Sequence, residues 1–115
     1  MSEDASARLG LPYLAPGQMQ KHVTLNEALT RLDALVQLAV VSRTRTAAPE
    51  SALDGALYIL PDGATGEGWA GRPAGVLVRV EDGAWQAVPV AEGALALVLD
   101  TGELLAWRDG GWSAP

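Results

Sequence analysis

Few side chains in this sequence have the type and spacing of a reaction centre. Asp100-Thr101-Gly102, preceded by Leu97, Val98 and Leu99, has the form of an aspartic-protease motif. In that chemistry two carboxylates share one proton, because like charges a few ångströms apart do not both ionise. Only 13 residues follow the motif, too few for a flap and closing strands, so the triplet is expected to be a hairpin turn. His22 is the single imidazole. A general base needs a partner to orient it, and neither serine nor aspartate stands next to His22 in the sequence. The chain has no cysteine, which excludes disulfides, thiolate catalysis and Cys-ligated zinc. Residues 63–68, Gly-Ala-Thr-Gly-Glu-Gly, are glycine-rich but lack the Lys-Ser/Thr of a phosphate loop, and are expected to be a flexible loop. Asp62 with Glu67, or Asp100 with Glu103, offers far fewer oxygens than the six to eight that Ca²⁺ requires. No catalytic residue, metal or cofactor is therefore expected, and the chain is not read as an enzyme.

Four tryptophans stand in a chain with two tyrosines and no phenylalanine. An exposed indole on a rigid hairpin can stack on a sugar ring. The same residues can equally supply the bulk that a Phe-free core needs. Trp85 shares a strand face with valines and is expected in the core. Trp69, Trp107 and Trp112 are the candidate glycan contacts.

The elements that would hold these residues follow from length and pattern. With 115 residues there is room for one domain. Eight basic against fourteen acidic residues leave a net charge of −6, the wrong sign for a phosphate-binding surface, so no nucleic-acid partner is expected. Met1–Gly10 lacks a basic segment followed by an apolar one, so no secretory signal is expected. The longest apolar runs, 38–41 and 94–99, fall far short of the roughly 20 residues that span a bilayer, and no membrane insertion is expected.

Residues 1–10 are small and polar and are expected to be a flexible N-terminus. Pro12 and Pro16 favour an extended arm over 11–17. Thr24 and Glu27 fit a capping box at the start of an amphipathic helix. Within it Leu25, Leu29, Leu32, Val36 and Ala39 step by 4, 3, 4 and 3 residues. That stripe suits a helix lying on a sheet, or a short coiled coil at the axis of an oligomer. Asn26, Thr30, Asp33 and Gln37 take the opposite side, and Leu38 falls off the stripe next to Arg31, expected as an exposed leucine that needs a partner or is simply tolerated. Arm and helix (11–41) lead to a connector (42–54), with an edge strand near 41–46 that Pro49 ends.

From Gly55 the period changes to 2, and Gly-x-Leu-x-x-x-x-Asp repeats at Gly55/Leu57/Asp62, Gly75/Leu77/Asp82, Gly93/Leu95/Asp100 and Gly102/Leu104/Asp109. Asp-Gly between alternating apolar residues predicts a type I′ hairpin. At Asp82-Gly83 such a turn sets Val80 opposite Trp85, Val78 opposite Ala87 and Val76 opposite Pro89. At Asp109-Gly110 it sets Trp107 opposite Trp112. Asp100-Thr101-Gly102 suits a three-residue loop with Gly in the left-handed position. The expected fold is α+β: an extended N-terminal arm and one amphipathic helix, followed by an antiparallel β-hairpin meander over 55–115.

Residues 11–38 carry Leu11, Pro12, Leu14, Gly17, Gln18, Gln20, Lys21, His22, Asn26, Glu27, Ala28 and Leu29, continued by Leu32, Asp33, Leu35 and Gln37. Further on stand Asp54-Gly55 with Tyr58-Ile59, and Trp69-Ala70-Gly71. This pattern resembles a bacterial family of unknown function, typical of alphaproteobacterial prophages and gene transfer agents and associated with tail-fibre or spike proteins. The resemblance implies a structural and adhesion module of a phage-like particle. It carries no catalytic residues to transfer, and family members are often longer than this chain. Gln18, Gln20, Lys21, His22 and Asn26 would form a docking motif towards other particle proteins. The helix stripe would serve a homotrimer, and the hairpins would contribute to host-surface binding, with surface polysaccharide as a candidate ligand. The product would be made in a bacterial cytoplasm without a signal peptide and carried in the virion or phage-like particle. The alternatives are a carbohydrate-binding module acting as a monomer, and an accessory domain of a polysaccharide or cell-wall hydrolase.

Overall fold

The computed structural model describes residues 4–14 and 21–115. One helix, α1 (Lys21–Leu35), precedes seven short strands: β1 (Ala39–Val40), β2 (Leu57–Ile59), β3 (Leu77–Glu81), β4 (Ala84–Ala87), β5 (Leu95–Val98), β6 (Leu104–Arg108) and β7 (Gly111–Ser113). They form a four-stranded sheet, β1-β5-β6-β7, and a three-stranded sheet, β2-β3-β4. The architecture is mainly β, which corrects the expected α+β class. It is also not one antiparallel meander, because β1 pairs with β5 in parallel, Ala39 beside Leu97 and Val40 beside Val98. The Val41 amide donates to the Leu57 carbonyl and the Ile59 amide to the Ser42 carbonyl (2.7 and 3.2 Å). These two bonds stitch the sheets together at β1 and β2, so β1 is interior and the edge strand expected near 41–46 is absent.

The hairpins form where the turn chemistry demands. Asp82 and Gly83 have φ of 51° and 77°, and Asp109 and Gly110 have 53° and 79°, the left-handed pair that a type I′ turn requires. The registers follow: Val80 faces Trp85 and Val78 faces Ala87, and Trp107 faces Trp112. Val76 and Pro89 lie beyond the ladder. The β5–β6 turn is one residue longer than expected. The Val98 amide donates to the Glu103 carbonyl and the Gly102 amide to the Val98 carbonyl, enclosing residues 99–102. Strands β2, β3, β5 and β6 each begin at the leucine of the Gly-x-Leu repeat.

The main core lies between the sheets. It contains Val40, Leu57, Ile59, Leu77, Ala96, Val98 and Leu105, with Ala34 and Leu38 from the end of the helical region. Leu38, off the helix stripe, is thus a core residue. The far face of the three-stranded sheet carries a second cluster, Tyr58, Leu60, Trp69 and Val78, with Trp85 against it. Residues 61–75 bring Trp69 over that face. They are held in place rather than free, since the Thr65 amide donates to the Thr46 carbonyl and the Ala48 amide to the Thr65 carbonyl.

Candidate functional site

The capping-box start at Thr24 gives way to a helix already formed at Lys21. At the other end Gln37 adopts φ 50°, the left-handed conformation that closes a helix. The chain then turns directly into β1, so Ala39 belongs to a strand and not to the helix stripe. Arg8 completes this stop. Its guanidinium donates to the carbonyls of Asp33, Ala34 (3.0 Å), Val36 (3.3 Å) and Gln37 (2.8 Å). A cation is placed on the carbonyl groups that a helix C-terminus leaves unpaired.

Over its described part the N-terminal segment is tied down: residues 4–10, expected to be flexible, turn back on the arm, and the arm at 11–14 pairs in the strand-like, extended way expected of it. Ala5 and Pro12 form an antiparallel bridge, and the Tyr13 amide donates to the Asp4 carbonyl at 2.8 Å. Residues 4–14 thus fold back on themselves and lie along the polar side of α1. Asn26 accepts from the Leu14 amide and donates to the Leu14 carbonyl (2.9 and 3.0 Å). Tyr13 and Thr30 share a hydroxyl–hydroxyl bond of 2.6 Å.

At the centre of this contact is Asp33, wholly buried. It accepts from the Ser6 hydroxyl (2.5 Å), the Arg8 amide (3.0 Å) and the Leu9 amide (2.6 Å). It also pairs with Arg79 at 2.7 Å. Arg79, itself buried, bonds Glu81 at 2.6 Å. Burial pushes the Asp33 carboxyl up. The Ser6 hydroxyl, the Leu9 amide, the Arg79 guanidinium and the Arg8 amide outweigh that and hold it below its ordinary range. Both carboxylate oxygens of Asp33 are taken by partners within the chain, so this carboxylate holds structure.

The side of α1 opposite the apolar stripe is therefore the side that packs: Asp33 is buried and Asn26 and Thr30 are half-buried, while Gln37, past the helix end, stays exposed. Leu25, Leu32 and Val36, the stripe expected to be core or oligomer seam, are 45–49% exposed, with Leu29 half-buried between them. A second uncovered surface appears on the four-stranded sheet. Leu95 and Leu97 on β5 share their outer face with Ala106 and Leu104 of β6 and Ala39 of β1. Leu95, Leu97, Leu104 and, just past β5, Leu99 are 40–58% exposed. Sequence reasoning missed this face, although residues 95–99, Leu-Ala-Leu-Val-Leu, are apolar at both parities. That is the pattern of a strand buried on both sides.

The tryptophans divide. Trp69 has no exposed surface and forms an aromatic trio with Tyr58 and Trp85, centroids 5.1–5.6 Å apart. It is not a glycan contact. Gly68 is required there: its φ is +85°, and a Cβ would come within 2.8 Å of Trp85. Trp107 and Trp112 meet edge to face at 5.2 Å, and the Trp112 indole donates to the Gly75 carbonyl at 3.0 Å. Trp107 lines a groove of about 260 Å³ with Gly75, Val76, Leu77 and residues 87–90. Its walls are almost wholly aliphatic, with little to bond a sugar hydroxyl.

Of the expected docking motif, Gln18 and Gln20 lie outside the described residues. Lys21 and His22 stand in the first turn of α1, and Asn26 is committed to Leu14 of its own chain. Glu103 pairs with Arg43 at 3.1 Å rather than with Asp100. Among the described residues no three His, Cys, Asp or Glu side chains gather as a metal site, and no helix is long and apolar enough to cross a membrane.

No curated protein matches the chain. The model of a family described as protein of unknown function, DUF2793, matches residues 25–113. That span takes in the stripe of α1, both sheets and the tryptophan groove, and the chain belongs to the DUF2793 family.

Proposed function

We propose that the chain is a non-enzymatic structural and adhesion module of a phage-like particle. It would act as a tail-fibre or spike component that works as a homotrimer, attaches to the particle and contributes to host-surface binding. The observation that carries this reading is the aliphatic stripe of α1, left in water at heptad spacing by a helix whose polar side is consumed internally. A stripe of this kind is stable when a further protein surface covers it. The resemblance of residues 11–38 to a family associated with tail fibres and spikes supplies the setting. Weak surface contacts made by three copies on one particle would be strengthened by multivalency.

Native mass spectrometry at micromolar concentration tests the oligomer, and immunodetection of the chain in purified particles tests the setting. A trimer that co-purifies with particles, and a Leu32→Asp variant that is monomeric, are expected. A wild-type monomer, absence from particles, or turnover of host polysaccharide would each overturn the proposal.

A further inference from the structure

The two antiparallel triplets, β2-β3-β4 and β5-β6-β7, are built alike. Gly55-Ala56-Leu57 corresponds to Gly93-Ala94-Leu95, Gly75 to Gly102, and Asp82-Gly83-Ala84-Trp85 to Asp109-Gly110-Gly111-Trp112. The Gly55 amide donates to the Val80 carbonyl as the Gly93 amide donates to that of Trp107, both at 2.8 Å. The Leu60 amide reaches the Val76 carbonyl as the Val98 amide reaches that of Glu103 (2.9 and 2.8 Å). Leu57 opposite Arg79 and Ile59 opposite Leu77 recur as Leu95 opposite Ala106 and Leu97 opposite Leu104.

The units are also covered by one rule. Leu57, Ile59 and Leu77, on one face of the first unit, meet Ala96, Val98 and Leu105, on the opposite face of the second, with Trp112 against them. The first-unit counterparts of those four are Tyr58, Leu60, Val78 and Trp85. Their face is covered instead by Trp69, from the connection 61–74. The two coverings agree in detail. A Cβ on Gly75 would stand 3.9 Å from Trp112 Cδ1, one on Gly68 would stand 2.8 Å from Trp85 Cδ1, and both glycines have positive φ (90° and 85°). In the second unit the matching connection, residues 99–101, makes only a tight turn.

We infer that residues 61–74 are an end cap, occupying on the first unit the place that the first unit occupies on the second. Stacked repeats bury one face on each neighbour, and a terminal repeat needs a cover of its own. The partner that the cap turns away is a further unit of the same type, presenting leucines placed like Leu57, Ile59 and Leu77. The inference is independent of the trimer proposed above.

Replacing residues 61–74 with the Leu-Asp-Thr of 99–101 removes the cap. The counterparts of Leu57, Ile59 and Leu77 are Leu95, Leu97 and Leu104, all exposed, so each uncapped copy carries both halves of a head-to-tail contact. Native mass spectrometry at micromolar concentration is expected to shift from the wild-type species to larger, open-ended assemblies. Adding Leu97→Asp is expected to restore the wild-type mass. A variant that is folded by the near-ultraviolet signal of Trp107 and Trp112 yet keeps the wild-type mass, or assemblies that survive Leu97→Asp, would overturn the cap. A second chain decides the matter if the shortened one does not fold. It keeps the cap and carries a copy of residues 88–114 in place of Pro115, which supplies a third unit. That unit is expected to raise the urea midpoint and to resist limited proteolysis. Its digestion, with the original units left intact, would overturn the stacking rule and the cap with it. A wild-type monomer would overturn the proposed function and leave the cap standing.

Discussion

Replacing Asp33 with alanine tests what fixes the orientation of α1. The carboxylate holds four donors: the Ser6 hydroxyl, the Arg8 and Leu9 amides, and Arg79. Arg79 is only 3% exposed, so its charge cannot turn to water when Asp33 is removed. Breaking one partner of a buried ion pair costs about 3–5 kcal/mol. Glu81 still bonds Arg79, which places the expected loss near the lower end, about 3 kcal/mol. For a domain of this length that is a fall in Tm of about 10–15 °C. Urea unfolding followed by tryptophan fluorescence, at fixed protein concentration, measures it. The double variant Asp33→Ala/Arg79→Met removes the stranded cation, and its loss is expected to be smaller than the sum of the single losses. A loss below about 1 kcal/mol for Asp33→Ala, or strict additivity in the double variant, would refute the view that this pair fixes the orientation of the helix.

The same group sets a pH dependence. The Asp33 carboxyl is held low in the folded chain, so the folded state binds fewer protons than the unfolded one as pH approaches the usual carboxylate value of about 4. The stability it supplies is complete above that value and lost as pH falls through the folded pKa; the urea midpoint is expected to drop on acidification, less steeply in Asp33→Asn. Gly68→Ala, which drives a Cβ into Trp85 at φ +85°, is expected to cost about 2 kcal/mol or more and to weaken the near-ultraviolet signal of the aromatic trio. Gln37→Gly relieves a left-handed non-glycine residue and is expected to stabilise by about 0.5–1 kcal/mol, read as a raised melting temperature.

The parts of the fold governed by local chemistry were legible in the sequence. Asp82-Gly83 and Asp109-Gly110 dictate their hairpins because two successive left-handed residues leave little choice. The Gly-x-Leu repeat marks the starts of four strands. What depended on distant partners was not legible. The polar positions Asn26, Thr30 and Asp33 read only as the side opposite the apolar stripe, and it takes Leu14, Tyr13, Ser6 and Arg79 to show that this side packs. Ala39 and Val40 continue a helical pattern, yet Gln37 and Arg8 end the helix and β5 recruits them as a parallel strand. Trp69 sits among glycines that suggest exposure, and only the fold-over of residues 61–75 onto Tyr58 buries it. The outer leucines of β5 and β6 were visible as letters, but their sidedness needed the register.

The distribution of aromatic rings gives this chain an optical map of itself. Tyr58, Trp69 and Trp85 belong to the three-stranded sheet and its covering loop, while Trp107 and Trp112 belong to the four-stranded one. Each sheet carries its own edge-to-face indole pair, and such close pairs couple as excitons in circular dichroism. Substituting Trp85 or Trp112 in turn would silence one signal at a time. Unfolding, assembly and ligand capture could then be followed sheet by sheet without attaching any dye.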